Sequence, residues 1–304
     1  MLRKLIIQII ILGSLSSLIY GWNKPGHMVT GAIAYQELKA KDQKALQTVL
    51  TLLKKHYYFP EWEKIMNSEN IADADRDLFL FMYATRWADD IRNDTNEHRG
   101  KWHYINHPVK FDGEPESVQI FPPDNDNIEK AWVYNVSLLK SADEQAKEKA
   151  LTWIFHLAGD SHQPLHATAL YTTLFQKPGG DQGGNLFFIK AAEDRSTVNL
   201  HSFWDGAITG SDKFGTVRNI ATELRNTYPK GSLKKVKELD LAKWTQESLK
   251  LAKENVYLNG KLKTGTKENG EVVPADYPKN MKEICNKRVT LAGYRLAEFL
   301  SKKF

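Results

Sequence analysis

The sequence concentrates its chemistry in the run His156-Leu-Ala-Gly-Asp160-Ser-His162-Gln-Pro164-Leu-His166. His156 and Asp160 stand at i and i+4, so on a helix their side chains leave the same face one turn apart. Pro164 cannot continue a helix interior, so the chain bends after Asp160 and swings His166 away from that face, where it can serve a neighbouring ion. His201 and Asp205, in Asn199-Leu-His201-Ser-Phe-Trp-Asp205, repeat the i, i+4 pair. Imidazole nitrogen and carboxylate oxygen are donors that Zn²⁺ takes. One such pair is common on a solvated helix face. Two pairs, with a third histidine beyond a proline, point to a metal centre.

A further candidate lies at Trp22-Asn-Lys-Pro25-Gly26-His27. If the chain were cut before Trp22, its free α-amine and its carbonyl oxygen could chelate a metal in a five-membered ring. The unperturbed α-amino pKa of about 8 makes loss of the proton to a metal near neutral pH inexpensive. The alternative is a tryptophan packed on the core and a histidine capping a helix.

The elements that must hold these groups follow from periodicity and punctuation. Residues 1–21 begin with Arg3 and Lys4, continue through an apolar run from Leu5 to Leu12 and end at Gly21, the pattern of a cleaved secretory signal. Gln8, Gly13 and several serines make this run too short and too polar to span a bilayer comfortably. The expectation is one domain over residues 22–304, secreted or periplasmic, monomeric, and free of the membrane after cleavage. Arg3 and Lys4 account for two of the 42 basic residues, so 40 would face 37 acids and the net charge would fall from +5 to +3. A field that weak does not announce a nucleic-acid partner, and any attraction for phosphate must be local. Cys285 is the only cysteine, which excludes a disulfide within the chain. Met281, Ile284, Ala292, Leu296, Phe299 and Leu300 recur around it at helical spacing, as expected for a buried core thiol.

Helical periodicity dominates elsewhere. One or two helices are expected between Ala32 and Leu53, before an aromatic turn at Tyr57-Tyr-Phe-Pro60, and others over 75–92, 127–140 and 143–160. The segment Lys101-Trp102-His103-Tyr104-Ile105-Asn106-His107-Pro108 alternates and is stopped by proline. Gly179-Gly-Asp181-Gln-Gly183-Gly184-Asn185 reads as a tight turn, or as backbone that approaches a ligand, with Asn185 the residue weighed toward function. Segments 185–190 and 197–200 predict a small β-hairpin. From Ser211 onward three amphipathic patterns, 212–226, 239–258 and 281–304, read as scaffold, and 260–270 as a mobile charged loop. Asn93 and Asn135 head glycosylation sequons. The fold class expected is all-α, a compact multi-helix domain with one β-hairpin.

In order along the chain stand an N-terminal Trp with a nearby His, Trp-Ala-Asp89, His103-Tyr-Ile-Asn106, His156-x3-Asp160-x5-His166, Gly-Gly-Asn185 and His201-x3-Asp205. This series resembles the zinc-dependent, single-strand-specific nuclease family of the S1/P1 type, whose fold is shared with a bacterial zinc phospholipase C. The resemblance implies three zinc ions. One would be held by Asp89, His103, His156 and Asp160. A close neighbour would be held by the amine and carbonyl of Trp22 and by His27, with Asp160 as a bridge, and the third by His166, His201 and Asp205. His56, His98, His107 and His162 would not be ligands, His162 standing behind the ligands rather than among them.

Three Zn²⁺ and three aspartates leave about three positive charges in one cleft, which supplies the local attraction for phosphate. Two ions sharing Asp160 would lower the pKa of a bridging water toward about 7, giving a hydroxide for in-line attack on phosphorus, and the third ion would stabilise the departing 3′ oxygen. The products implied are 5′-phosphorylated nucleotides, from single-stranded DNA or RNA, with 3′-nucleotides as further substrates. Arg92, near Asp89, could grip a phosphate oxygen with its planar fork or could pair with an acid. Tyr104 would lie under a nucleobase and Asn106 at its edge. Stacking of that kind is worth about 1–3 kcal/mol per base and requires an unpaired strand.

Three rivals are weighed against this. A phospholipase C on the same fold is disfavoured by Asp205 at the last ligand position and by Tyr104 with Asn106. A non-catalytic secreted zinc-binding protein has no positive feature. A serine esterase built on Gly159-Asp160-Ser161 would need a strand-to-helix elbow where a helix end is expected.

Overall fold

A helix that is apolar on nearly every side has to be buried, and Lys24–Lys41 (α1) is that helix: residues 25–35 are all buried. Asn23 caps it by accepting from Gly26 N at 3.0 Å, and Pro25 occupies a first-turn position whose missing N–H costs nothing. The computed structural model describes residues 22–304, and the expected signal segment 1–21 lies outside them.

Around α1 pack Arg76–Asp90 (α4), Glu144–Asp160 (α6), Phe214–Thr227 (α8) and Tyr277–Lys303 (α10). Gly31 lets α4 come close, since a Cβ there would stand 2.2 Å from Thr85 Oγ1 and 2.6 Å from the Phe81 carbonyl oxygen. That approach brings the Thr85 carbonyl to His156 on α6, 2.9 Å from its Nδ1. Gln43–Lys55 (α2), Phe59–Ser68 (α3), Ile128–Leu138 (α5), Leu200–Asp205 (α7) and Leu241–Leu251 (α9) complete ten α-helices among the described residues. The all-α expectation is borne out.

Details differ from the sequence reading for local reasons. The aromatic stretch at Tyr57–Pro60 is not a free turn but the entry to α3, where Pro60 again fills a first-turn position. The pattern over 239–258 is interrupted, α9 giving way to a π-helical turn at Ala252–Val256. The hairpin is present as Phe188–Lys190 (β3) and Val198–Asn199 (β4), with Phe188 opposite Asn199. It is not alone. Glu271–Val272 (β5) adds a parallel strand to β3, and Gly265 N donates to the Phe188 carbonyl at 2.9 Å. The 260–270 loop is therefore tied to the sheet, contrary to its expected mobility. A second pair, Pro108–Val109 (β1) against Ala169–Leu170 (β2), runs parallel, so the chain gains a strand at Pro108 where the sequence suggested a stop. Cys285 is buried as expected. Asn93 is exposed, but Asn135 is buried inside α5, where its amide donates to the Ala131 carbonyl at 2.8 Å. The second sequon is thus not offered to solvent.

Candidate metal centre

The last turn of α6 does what the i, i+4 spacing requires: His156 Nε2 and Asp160 Oδ2 lie 3.0 Å apart, both fully buried. His156 Nδ1 is 2.9 Å from the Thr85 carbonyl oxygen on α4. A carbonyl only accepts, so Nδ1 carries a proton and Nε2 is the nitrogen turned toward Asp160. His27, on the second turn of α1, stacks on His156 with ring centroids 3.8 Å apart and brings its Nε2 to 3.2 Å from Asp160 Oδ1. Asp89, at the end of α4, reaches to 3.7 Å from His156 Nε2.

His103 arrives differently. It ends a short 3₁₀ turn, Gly100–His103, and the extended chain beyond runs beside the segment carrying His166. Ile105 N donates to the His166 carbonyl at 2.8 Å and Ala169 N to the His107 carbonyl at 3.0 Å, continuing into β1 and β2. His103 Nδ1 comes within 3.0 Å of Asp160 Oδ2 and 2.9 Å of His156 Nε2.

The third cluster lies across a bend. Pro164–Ala167 forms a 3₁₀ turn that carries His166 away from α6, as Pro164 predicted. His166 Nδ1 is 2.6 Å from the His103 carbonyl oxygen, and His201 Nδ1 is 2.6 Å from the Gly183 carbonyl oxygen. Each ring is thereby turned so that Nε2 faces the other, 3.1 Å away. His201 Nε2 is 3.3 Å from Asp205 Oδ2, and Gln163 Nε2 holds the other oxygen, Oδ1, at 2.6 Å.

Three donor groups thus converge: His27, Asp89 and His156; His103, His156 and Asp160; His166, His201 and Asp205. The last is the set the family resemblance implies. The first two share His156 and, through the His27 contact, Asp160, so they form one joined cluster. Their fit to cations is tested by polar atoms that the protein leaves unpaired. His27 Nδ1 and Nε2, Asp89 Oδ2, His103 Nε2, Asp160 Oδ1 and Asp205 Oδ2 are buried without a hydrogen-bond partner. Buried orphans are rare in folded proteins, and so many in one cluster of metal-ligand types fits bound cations.

The electrostatics agree. Burial pushes the His103 imidazole down to about 4, and burial with the neighbouring His156 lowers His27. His156 goes the other way: burial opposes its protonation, but Asp160 and Asp89 beside it raise it. Asp160, despite its burial, is held well below the usual carboxylate range by His156, His166 and His27. Burial pushes Asp205 well above it, and the Gln163 hydrogen bond offsets only part. A cation would replace the proton on His156 and ionise Asp205.

Trp22 is fully buried, and its indole Nε1 donates to the Gly159 carbonyl at 3.0 Å, between His156 and Asp160 in sequence. Asn23 N donates to the Asp205 carbonyl at 3.3 Å. The start of the domain therefore lies against the cluster, while its tryptophan also packs the core. His27 is inside α1 rather than at its cap. Of the two roles left open for Arg92, the structure displays pairing: its Nη2 is 2.5 Å from Asp89 Oδ1. Tyr104 and Asn106 come together beside His201 in a cavity of about 220 Å³ that also includes Leu165, Pro178 and Gln182. Asn185 is buried, and its amide donates to the Gln182 carbonyl at 2.8 Å, closing the turn.

The whole of residues 22–304 matches the family model described as S1/P1 Nuclease. The chain belongs to the S1/P1 nuclease family. Endonuclease 1 of Arabidopsis thaliana is 24% identical over 99% of this chain and 92% of its own. Nuclease S1 of Aspergillus oryzae is 25% identical over 94% of this chain and 93% of its own. The protein is accordingly a nuclease, a hydrolase acting on ester bonds of nucleic acid, and its family is one of zinc enzymes. That assignment favours the nuclease over the phospholipase reading. The serine esterase reading fails on geometry: His162 Nδ1 is 2.8 Å from the Ala158 carbonyl oxygen, so its proton lies on the nitrogen nearest Ser161 Oγ and that nitrogen is no base.

What sequence reasoning missed is the support. Thr85 and Gly183 act through backbone carbonyls, which no side-chain pattern signals. The C-terminal segment, read as scaffold, also braces His162, which stands in sequence between Asp160 and His166. Arg288 Nε donates to the His162 carbonyl at 3.1 Å and Arg295 Nη1 approaches His162 Nε2 at 2.9 Å, while both arginines pair with Glu247. Arg288 and Arg295, which fall on the apolar stripe of the amphipathic 281–304 pattern with Met281, Cys285, Ala292 and Phe299, were the available signal.

Proposed function

We propose that this nuclease is a secreted or periplasmic, monomeric phosphodiesterase that carries three zinc ions and hydrolyses single-stranded DNA and RNA to 5′-phosphorylated products. It would also remove the phosphate of 3′-nucleotides. The observation that carries this reading is the joined His/Asp cluster around Asp160, set beside a third donor group whose His201 also lines the cavity of Tyr104 and Asn106.

Divalent zinc in such groups supplies an activated water and positive charge for the phosphoryl and leaving oxygens. The chain's own residues do the rest. Tyr104 offers a ring face and Asn106 an amide to a single base, and a base lying in a cavity of about 220 Å³ has left its duplex stack. Leu165 and Pro178 give that cavity apolar walls. With the base anchored beside His201, the phosphate on its 3′ side falls against the donor groups. The water gives up a proton as its oxygen joins phosphorus, the P–O3′ bond breaks, O3′ takes up a proton and leaves as the 3′-hydroxyl of the upstream fragment, and the phosphate stays on the 5′ end of the downstream one. Arg92 holds Asp89 in register on one flank, and Gln163 holds Asp205 on the other. Cleavage before Trp22 would free an α-amine at a chain start that lies against Gly159 and Asp205.

Among the described residues no helix is long and apolar enough to cross a membrane. The secreted location rests on residues 1–21 as a signal. The deciding experiment compares hydrolysis of one sequence as single strand and as duplex, with product ends assigned by labelling. Preferred cutting of the single strand, leaving 5′-phosphates, is expected. Equal rates on both forms would contradict the role given to Tyr104.

A further inference from the structure

The turn 179–185 lies outside the set of metal ligands, yet it carries one fully buried carboxylate at its centre, Asp181. A tight surface turn does not require a buried acid, and burying one is costly unless its oxygens are bonded. Here they are. Asp181 Oδ1 accepts from Leu170 N at 2.8 Å, and Oδ2 accepts from the Tyr257 hydroxyl at 2.6 Å. Burial pushes the Asp181 carboxyl up to about 7, and these two bonds, with the nearby backbone of Gly183 and Gly184, offset part of that cost. Asp181 N donates in return to the Leu170 carbonyl at 2.9 Å, so the turn is fastened to β2 from both sides of one residue.

The other side of the turn faces the metal centre. Gly183 presents its carbonyl to His201 Nδ1 at 2.6 Å, and the Gly184 carbonyl accepts from His201 N at 3.3 Å. Gly183 has φ +59°, and a Cβ there would stand 2.4 Å from the Leu165 carbonyl oxygen. The backbone is thus held in a left-handed conformation with no space for a side chain. Two residues after Asp181 in the same turn, its C=O is directed at His201. Tyr257, which closes the far end of this relay, follows the π-helical turn at Ala252–Val256 and is itself buried. Two stretches of chain that carry no ligand therefore converge on the orientation of one ligand ring.

We propose that Asp181 is a positioning residue for His201: its carboxylate, held by Tyr257, fixes the turn so that the Gly183 carbonyl turns His201 Nε2 toward His166 and Asp205. This rests on the reading of His166, His201 and Asp205 as ligands of one zinc ion. Asp181→Asn replaces one acceptor oxygen by an NH₂ group that cannot accept from Leu170 N or the Tyr257 hydroxyl. Tyr257→Phe removes only the hydroxyl donor and keeps the ring.

The test is a zinc titration of metal-stripped protein beginning at Trp22, in competition with a chromophoric chelator, on wild type and both variants. Expected is a selective effect: one of three ions weakens by about 10- to 100-fold in Asp181→Asn, and by a smaller factor in Tyr257→Phe, while the other two bind as in wild type. Unchanged affinity for all three ions in both variants would overturn the proposal. So would an equal weakening of all three, which is what a merely structural role produces. If Asp181→Asn does not fold, Tyr257→Phe decides by the same criteria. A wild type that takes up no third ion, with His201→Ala binding as many ions as wild type, would instead sink the underlying ligand assignment.

Discussion

His156 Nε2 and His103 Nδ1 approach to 2.9 Å, each also within 3.0 Å of the same oxygen of Asp160. Three ligand-type atoms from α6 and from the distant 100–103 turn meet there. The Thr85 carbonyl prevents the His156 ring from turning away to relieve the crowding. Such preorganisation is what a metal site needs and what a stable core does not.

Asp160 is the carboxylate shared by the joined cluster, with Oδ1 toward His27 and Oδ2 toward His156 and His103. Asp160→Asn should lose two ions together, keep the one at His166, His201 and Asp205, and lower activity by at least about 100-fold. Elemental analysis of the folded variant checks this. Retention of three zincs would contradict the bridge.

Gly159 sits between these ligands, and a Cβ there would lie 2.7 Å from His27 Nδ1. In a helix interior Gly→Ala ordinarily stabilises by about 1 kcal/mol. Here Gly159→Ala should instead displace the His27 ring, weaken one ion of the joined pair and reduce kcat severalfold or more. Wild-type zinc affinity and activity in this variant would exclude His27 from the cluster.

The legible part of this molecule was the part written in side chains at fixed spacing. His156 with Asp160, His201 with Asp205, the bend at Pro164 and the buried Cys285 all follow from helical geometry. Asp89, His103 and His27 could be placed only by family resemblance, because they reach the cluster from α4, from a 3₁₀ turn and from α1 through tertiary packing. The β1–β2 pair that sets His103 beside His166 involves two residues on each strand, too short for any periodic signal. The tethering of the 260–270 loop was hidden for the same reason. Its charge suggested solvent, whereas backbone bonds to β3 decide its place.

Acid sensitivity should carry the signature of His56. Burial, with Lys149 nearby, pushes its folded pKa down to about 3 from 6.5. Between those values the unfolded chain binds a proton that the folded chain refuses. Stability should therefore be undiminished above about pH 6.5 and fall as pH drops toward 3, by at most about 1.4 kcal/mol per pH unit from this group. In metal-free protein, His56→Asn, which can still accept from Tyr58 N, should flatten the decline of Tm between pH 6.5 and 4. An identical decline in both proteins would remove His56 from the account.

Processing should control the pair of ions at Asp160. A protein retaining residues 1–21, or extended by one residue before Trp22, should bind one zinc fewer and lose most activity, because an amide nitrogen is a far poorer ligand than a free amine. Matched preparations with and without the extension, assayed on the same single-stranded substrate, decide this. Full activity in the extended form would take Trp22 out of the metal centre.

The central claim is most directly tested by counting zinc per chain in folded protein that begins at Trp22, after exhaustive dialysis, with hydrolysis of single-stranded DNA followed on the same sample before and after chelation. Three zincs per chain, with activity lost on chelation and regained on adding zinc, is the expected result. An active preparation with no stoichiometric metal, or one indifferent to chelation, would contradict the account.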